Sequence, residues 1–308
     1  MKQRLIFLVG PTAAGKTAVS LSLAKAIGAE IVSCDSMQVY RGMDIISSKP
    51  SRADRAKIPH HLVDIVSPRV EFNAARYRLR CLKVIREIGA RGKVPLFVGG
   101  TGLYVSVLVE GIFKTVKIKP GVRERLSAAA AKMGSAALHA RLAKVDPAAA
   151  AKIHPNDARR VIRALEVFES TGTPISVLQA KRNGLWDKYD IHIFCLSPER
   201  TVLYRRINGR VEAMFRRGLV EEVKKLRRKG MAGTARFAIG IPEVEGYLDG
   251  RYGKEEAKAL LQRNTRQYAK RQLTWFRKDK RIVWVKSAAQ ARRKILALCP
   301  RQPRRLTS

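Results

Sequence analysis

The sequence predicts an α/β fold in which an all-helical insertion interrupts a parallel sheet core. Short apolar runs typical of buried strands alternate with helical patterns in the first third of the chain, and they return after residue 186. The stretch between them is rich in Ala, Arg and Lys and has no strand pattern. We therefore expect a core of residues 1–114 and 187–308, with residues 115–186 as the helical insertion.

A glycine-rich loop follows the first predicted strand, Leu5–Val9, and precedes a stretch with helical spacing. It reads GPTAAGKT, and each fixed position of a P-loop lies in the strand, loop and helix context that the motif requires. Its backbone N–H groups and Lys16 are expected to hold phosphate, and the Thr17 hydroxyl to ligate Mg²⁺. The phosphate-binding residues are Gly10, Pro11, Thr12, Ala13, Ala14, Gly15, Lys16 and Thr17. This predicts a P-loop NTPase-like core, although a chance glycine loop remains the alternative.

The charge balance indicates a polyanionic partner. The chain of 308 residues has 62 Lys and Arg against 25 Asp and Glu, a net charge of +37. A solvated basic surface is the alternative, but an excess of this size favours nucleic acid. The four cysteines show no paired spacing, and no apolar run reaches the length of a membrane span. We expect a cytoplasmic protein without a signal peptide.

Two further predicted strands end in polar or glycine-rich turns. Glu30–Cys34 leads into Asp35, and Lys93–Val98 leads into the GGTGLY turn that contains Thr101. Ligands of open α/β sheets bind at the carboxyl ends of strands, so we expect Asp35 beside the phosphate loop. The alternatives are an Asx-turn for Asp35 and a helix N-cap for Thr101.

Basic residues recur on two predicted helices. Arg159 and Arg163 lie four residues apart in the insertion and share a helix face, which suits phosphate contacts but also a solvated surface. The last long helix, about Lys254 to Lys278, mixes basic residues with Tyr268, Trp275 and Phe276. Such aromatic side chains either stack on bases or anchor the core.

Through nearly its whole length the sequence resembles the bacterial tRNA dimethylallyltransferases, also called tRNA isopentenyltransferases. The P-loop alone is shared by many NTPases, whereas the ordered set of motifs is specific. The motifs are GPTAAGKT from Gly10, DSMQVY from Asp35, PHHL from Pro59, GGTGLY from Gly99, HPNDARR from His154, RALE from Arg163 and TRQYAKRQLTWFR from Thr265.

The resemblance implies transfer of a dimethylallyl group from dimethylallyl diphosphate to the exocyclic amino group of the adenine 3′-adjacent to the anticodon. It also implies Mg²⁺ and a helical insertion that grips the tRNA anticodon stem-loop. We expect a monomer that acts without a membrane.

The resemblance implies a role for each residue that occupies a matching position in the family motifs. Asp35 would accept the proton of the adenine amino group, Thr101 would touch the flipped base, and Lys16 and Arg210 would hold the diphosphate bound by Thr12–Thr17. Arg123 would lie at the entrance. The expected tRNA contacts are Asp35, Ser36, Met37, Gln38, Thr101, Arg123, Arg159, Arg160, Val161, Ile162 and Arg163.

Two stretches depart from the family pattern, and three alternatives remain open. Ile46-Ser47-Ser48 replaces the usual Gly-Thr-Ala, and Ile241-Pro242-Glu243 replaces the usual Tyr-Arg-Glu or Tyr-Lys-Glu, which puts local loop packing in doubt more than activity. The alternatives are an adenylate isopentenyltransferase acting on a free nucleotide, a P-loop nucleotide kinase or ATPase, and a nucleic-acid-binding protein with a vestigial P-loop.

Overall fold

The computed structural model describes residues 2–113 and 116–299. They pack as two compact units, which we call the core unit, residues 2–106 and 186–299, and the helical unit, residues 107–113 and 116–185. The expected boundary at 114/115 lies outside the described residues. The helical unit begins earlier because the chain leaving it pairs with the chain entering it: the Leu185 N–H donates to the Leu108 and Val109 carbonyls, at 3.0 and 3.1 Å.

The elements follow the chain in order. The first part of the chain holds β1 (Arg4–Val9), α1 (Lys16–Ile27), β2 (Ala29–Cys34), α2 (Arg52–Lys57), β3 (His60–His61), α3 (Ala74–Ala90), β4 (Val94–Gly99) and α4 (Gly102–Val109). The helical unit continues with α5 (Val122–Met133), α6 (Ser135–Val145), α7 (Pro147–Ala150), α8 (Ala158–Thr171) and α9 (Ile175–Ala180). The core unit resumes with β5 (Asp190–Leu196), α10 (Arg200–Arg216), α11 (Leu219–Lys229), α12 (Gly233–Arg236), α13 (Ile241–Leu248), α14 (Lys254–Arg277), β6 (Val283–Val285) and α15 (Ala288–Leu298).

The core unit is built on a six-stranded parallel sheet in the order β3-β2-β4-β1-β5-β6. Residues Leu5 to Val9 of β1 are fully buried, as expected for a parallel strand covered on both faces. The helical unit has no strand among its described residues. The predicted fold class is therefore confirmed. Within the described chain, no helix is long and apolar enough to cross a membrane.

The strand register aligns the ends of the neighbouring strands. Cys34 of β2 pairs with Gly99 of β4, which pairs with Val9 of β1, and Val9 pairs with Cys195 of β5. Since the strands are parallel, the loops after β2, β4 and β1 leave from one edge of the sheet in that order. The three motif-bearing turns therefore lie side by side.

Candidate active site

A cavity of about 600 Å³ opens at this edge of the sheet, within the core unit. Its size is typical of small-ligand sites. It brings together Lys16 and Thr17 from the P-loop, Asp35 from the turn after β2, and Arg210 from α10. The four residues Lys16, Thr17, Asp35 and Arg210, for which we predicted chemical roles, thus line one cavity. Thr101 does not line it but contacts the loop of Asp35.

The P-loop backbone adopts the conformation of a phosphate cradle. Gly10 and Gly15 have φ of +141° and +99°, and Ala13 also lies in the left-handed region at +61°. Helix α1 starts at Lys16 without a side-chain cap on Gly15, so its first N–H groups remain available to a ligand. The loop therefore offers backbone donors and a helix N-terminus on one side of the cavity.

The Lys16 ammonium turns back onto its own loop, where Nζ donates to the Gly10 carbonyl at 2.8 Å and the Pro11 carbonyl at 2.7 Å. Burial lowers the pKa of Lys16 to about 8; the Asp35 carboxylate opposes this shift, and the Arg210 guanidinium adds to it. A bound anion would stabilise the charged form and draw the ammonium away from the carbonyls.

Helix α10 presents two guanidinium groups one turn apart. Burial lowers the pKa of Arg210, whereas the nearby Asp35 carboxylate raises it and Arg217 lowers it further. Arg206 Nη1 donates to the Ala14 carbonyl of the P-loop at 3.0 Å, and the residue lines the same cavity. The sequence analysis missed Arg206, although its spacing of four residues from Arg210 places both on one helix face.

Asp35 forms the Asx-turn that we considered as the alternative to a catalytic role. Its Oδ1 accepts from the Met37 N–H at 2.8 Å, while the side chain also lines the cavity. The Ser36 N–H donates to Thr101 Oγ1 at 3.0 Å, and the Thr101 N–H donates to the Cys34 carbonyl at 3.1 Å. The turn thus holds the carboxylate in place, and the two interpretations are compatible.

Helix α14 brings two more side chains to the site. We did not predict a role for Gln272 from the sequence, and for Tyr268 we left open whether it stacks on a base or anchors the core. Gln272 bonds to Thr12 and to Gly100. Tyr268 lines the cavity, and burial raises the pKa of its phenol to about 12; Asp35 adds to this rise and a hydrogen bond with Thr101 opposes it. Of the other two aromatic residues, Phe276 is buried in the core and Trp275 is partly exposed.

The two departures from the family pattern lie near each other, on either side of the contact between Gly240 and Ile46. Gly240, with φ +109°, starts α13, and its N–H donates to Glu243 Oε2 at 2.7 Å. A Cβ on Gly240 would lie 3.0 Å from the Ile46 side chain. Pro242 lies in the first turn of α13, where its missing N–H costs no helical hydrogen bond. Nearby Phe237, at the edge of the cavity, is 77% exposed.

The residues at the cavity fit a Mg²⁺ ion that is shared with a substrate. Thr17 is exposed at the start of α1 and lines the cavity, and its hydroxyl is an oxygen donor of the type that Mg²⁺ accepts. No group of three or more His, Cys, Asp or Glu residues in the described part of the chain could hold a metal. Mg²⁺ usually keeps several waters and takes substrate phosphate oxygens, so one or two protein ligands suffice.

In the helical unit, acidic residues of α8 hold the predicted arginines. The Glu166 side chain, only 3% exposed, accepts two hydrogen bonds from Arg123, at 2.8 and 2.9 Å, and one from Arg163 at 2.6 Å. Arg159 is exposed, and Arg160 pairs with Asp157 at 3.2 Å. The guanidinium groups are therefore oriented before any ligand binds.

The expectation that the Val161 side chain contacts tRNA is wrong, because this side chain is fully buried in the core of the helical unit. The Ile162 side chain is partly buried and packs against the same core. Position 161 faces inward since α8 must bury one stripe of apolar residues against α5 and α6. The exposed arginines of this helix remain as predicted contacts.

The lowered pKa of Lys16 predicts a pH dependence of pyrophosphate binding. Lys16 is protonated below about pH 8, and about a tenth of the molecules keep the charge one unit higher. Between pH 7 and pH 9, the affinity of the wild type relative to Lys16→Arg should therefore fall by up to about tenfold in calorimetric titrations. The arginine variant stays charged at both pH values. Its own pH profile therefore shows the effect of pyrophosphate ionisation alone. Parallel pH profiles for the two proteins would show that the Lys16 ammonium does not bind phosphate.

Comparison with known proteins finds isopentenyl transferase matches over most of the chain. The sequence model described as "IPP transferase" matches residues 38–279, and the one described as "Isopentenyl transferase" matches residues 1–64. A Geobacter sulfurreducens protein named tRNA dimethylallyltransferase is 51% identical over 290 residues, which are 94% of this chain and 93% of the relative. A Carboxydothermus hydrogenoformans protein of the same name is 45% identical over 297 residues, 96% of each chain.

Solved structures give a matching result. The full-length tRNA isopentenylpyrophosphate transferase of Bacillus halodurans superposes with a TM-score of 0.70 at 43% identity, covering 96% of this chain and 94% of that one. A eukaryotic dimethylallyltransferase acting on tRNA superposes with a TM-score of 0.79 at 28% identity, covering 98% of this chain and 82% of the other. With its P-loop cavity and these matches over nearly its full length, the chain belongs to the IPP transferase family.

Proposed function

We propose that this protein transfers a dimethylallyl group from dimethylallyl diphosphate to the exocyclic amino group of the adenine 3′-adjacent to the tRNA anticodon, releasing diphosphate. The observation that carries the proposal is one cavity in which the P-loop with Lys16 and Arg210 lies close to the Asp35 carboxylate. One end suits a diphosphate leaving group, and the other suits a nucleophile that must lose a proton. Membership of the IPP transferase family supports the same reaction.

Departure of the diphosphate requires fixed positive charge where negative charge accumulates. The P-loop N–H groups, Lys16, Arg206 and Arg210 supply it from the P-loop and from α10. Mg²⁺ bound by Thr17 and the phosphate oxygens would spread this charge further. Lys16 and Arg210 are half-buried, so less water screens their charge than at an exposed position.

The adenine amino group is a weak nucleophile because its lone pair is delocalised into the ring. As its nitrogen bonds to the prenyl carbon, the bond from that carbon to oxygen breaks and its electron pair leaves with the diphosphate. The amino proton passes to the Asp35 carboxylate. General-base help of this kind contributes about 10²–10⁴ in rate. Thr101 and Tyr268 hold the turn that carries Asp35 and can thereby position its carboxylate.

The proposed acceptor is a tRNA anticodon stem-loop whose target base leaves its stack. Unstacking costs a few kcal/mol, which backbone contacts from basic surfaces offset. The net charge of +37 and the arginines that Glu166 orients, Arg123 and Arg163, support such a partner. The four free cysteines fit a reducing, cytoplasmic setting.

The test is mass spectrometry of nucleosides after incubating the protein with unmodified tRNA and dimethylallyl diphosphate. The proposal requires a mass gain of one dimethylallyl group, confined to adenosine. Transfer to free adenylate but not to tRNA would indicate an adenylate isopentenyltransferase. Substrate-stimulated ATP hydrolysis without transfer would indicate a kinase or ATPase. Tight RNA binding with no product from any donor would indicate a vestigial P-loop.

For Asp35, substitution by Asn separates chemistry from turn geometry. Asn keeps an oxygen for the Met37 N–H, so the turn should persist, but it lacks a basic carboxylate. The single-turnover rate with saturating donor and tRNA should fall by at least about 100-fold, while tRNA affinity changes by less than about tenfold. A rate within about threefold of the wild type would exclude Asp35 as the base.

For the arginines of α8, the salt dependence of tRNA binding locates the RNA contact. Each phosphate contact contributes about 0.7–0.9 to the slope of log affinity against log salt. Arg159→Ala combined with Arg163→Ala should flatten the slope by about one to two and leave pyrophosphate binding unchanged.

The matched control for this test removes the same charge elsewhere in the helical unit. Arg125 and Arg141 both pair with Glu169, and their double alanine variant should keep the wild-type slope. Equal flattening by both double variants would mean that the charge of the unit, and not the Arg159 face, binds tRNA.

A further inference from the structure

The Gln272 side chain joins the two glycine-rich turns of the site. It projects from α14 and is 6% exposed. Its Oε1 accepts from the Thr12 N–H of the P-loop at 2.9 Å, and its Nε2 donates to the Gly100 carbonyl after β4 at 2.8 Å. If the amide were flipped, Nε2 would face the Thr12 N–H and Oε1 would face the Gly100 carbonyl. The two partners therefore fix the orientation of the amide.

The absence of a side chain at Gly100 leaves the space that the Gln272 amide occupies. A Cβ at position 100 would lie 2.1 Å from Gln272 Nε2 and 3.0 Å from the Gly10 carbonyl. Any side chain there would displace Gln272 from the carbonyl. The glycine and the glutamine are therefore complementary, although 172 residues separate them in sequence.

The contacts continue from Gly100 to the proposed base. Thr101 follows Gly100, and its hydroxyl accepts from the Ser36 N–H at 3.0 Å, next to Asp35. Hydrogen bonds and one peptide link thus run from the phosphate cradle at Thr12, through Gln272, to the turn that carries Asp35.

We propose that Gln272 is a positioning residue, which sets the distance between the diphosphate cradle and the acceptor side of the cavity. The inference rests on the proposed transferase function. Each half of the site can bind its own ligand without Gln272, but the two ligands must also meet in a near-attack geometry, where a displacement of about 1 Å can cost about 100-fold in rate.

The test compares Gln272→Met, which keeps the length but removes both hydrogen bonds, with Gln272→Glu. In single turnover with saturating substrates, Gln272→Met should lower the rate constant by about 10- to 100-fold, with the affinities for pyrophosphate and tRNA changed by less than about threefold. Loss of folded protein would instead lower the amplitude at an unchanged rate constant. Gln267→Met, at an exposed position of the same helix outside the cavity, is the control and should match the wild type.

The pH profile of Gln272→Glu gives a readout that a packing role would not produce. A carboxylate at this position repels the Gly100 carbonyl, whereas a protonated carboxyl can accept from Thr12 and donate to Gly100 as the amide does. Since burial raises the pKa of such a carboxyl, the rate relative to wild type should rise as pH falls from 8 to 6. The ratio for Gln272→Met should stay flat. A flat ratio for Gln272→Glu, or a wild-type rate constant for Gln272→Met, would overturn the proposal.

Hydrogen exchange separates this proposal from the transferase assignment, because it needs no substrate. In Gln272→Met, the peptide covering residues 10–17 should exchange at least about tenfold faster than in the wild type, because the Thr12 N–H loses its acceptor. The peptide covering residues 99–104 should also exchange faster, because the turn loses the bond that holds its Gly100 carbonyl and opens more often. In Gln267→Met neither peptide should change. A protein without transferase activity that showed this paired loss of protection would refute the function and keep the link between the turns. Unchanged exchange in both peptides would refute the link itself.

Discussion

Two close backbone approaches at the carboxyl edge of the sheet determine the geometry of the site. A Cβ on Gly10 would lie 2.4 Å from the Leu196 carbonyl oxygen, and one on Gly99 would lie 2.2 Å from the Cys34 carbonyl oxygen. Both distances are far below any van der Waals contact, so only glycine allows the loops after β1 and β4 to lie this near the neighbouring strands. The P-loop, the Gly100 turn and Asp35 share one cavity because these strand ends are so close.

Unbalanced positive charge is the second feature of this arrangement. Burial lowers the pKa of both Lys16 and Arg210, which means that the unliganded protein holds these cations at a cost in free energy. The Lys16 ammonium compensates in part through the Gly10 and Pro11 carbonyls. An anion that replaces those carbonyls relieves the cost, so a diphosphate fits the site electrostatically. The helical unit differs, because Glu166 pairs with both Arg123 and Arg163 at the protein surface and offsets only part of their charge.

Local sequence patterns were sufficient to predict the sheet core and the position of Asp35, because a strand, its terminal turn and the following helix are encoded by adjacent residues. They were not sufficient for contacts made across the fold. Gln272 reaches Thr12 over 260 residues, and only the packing of α14 on the sheet edge decides which side of that helix faces the site. Arg206 was missed for the same reason. Val161 shows the opposite error, since Arg159 and Arg160 of the same motif are exposed whereas helical periodicity turns the Val161 side chain inward.

The proposed function requires that the cations of the P-loop cavity receive a diphosphate beside Asp35. A crystal structure of the protein with pyrophosphate tests it most directly. We expect phosphate oxygens within about 3 Å of the P-loop N–H groups and of Lys16 Nζ, with the ammonium released from the Gly10 and Pro11 carbonyls. The Asp35 carboxylate should still line the cavity. Pyrophosphate bound elsewhere, or Lys16 still donating to those two carbonyls with the ligand in place, would contradict it.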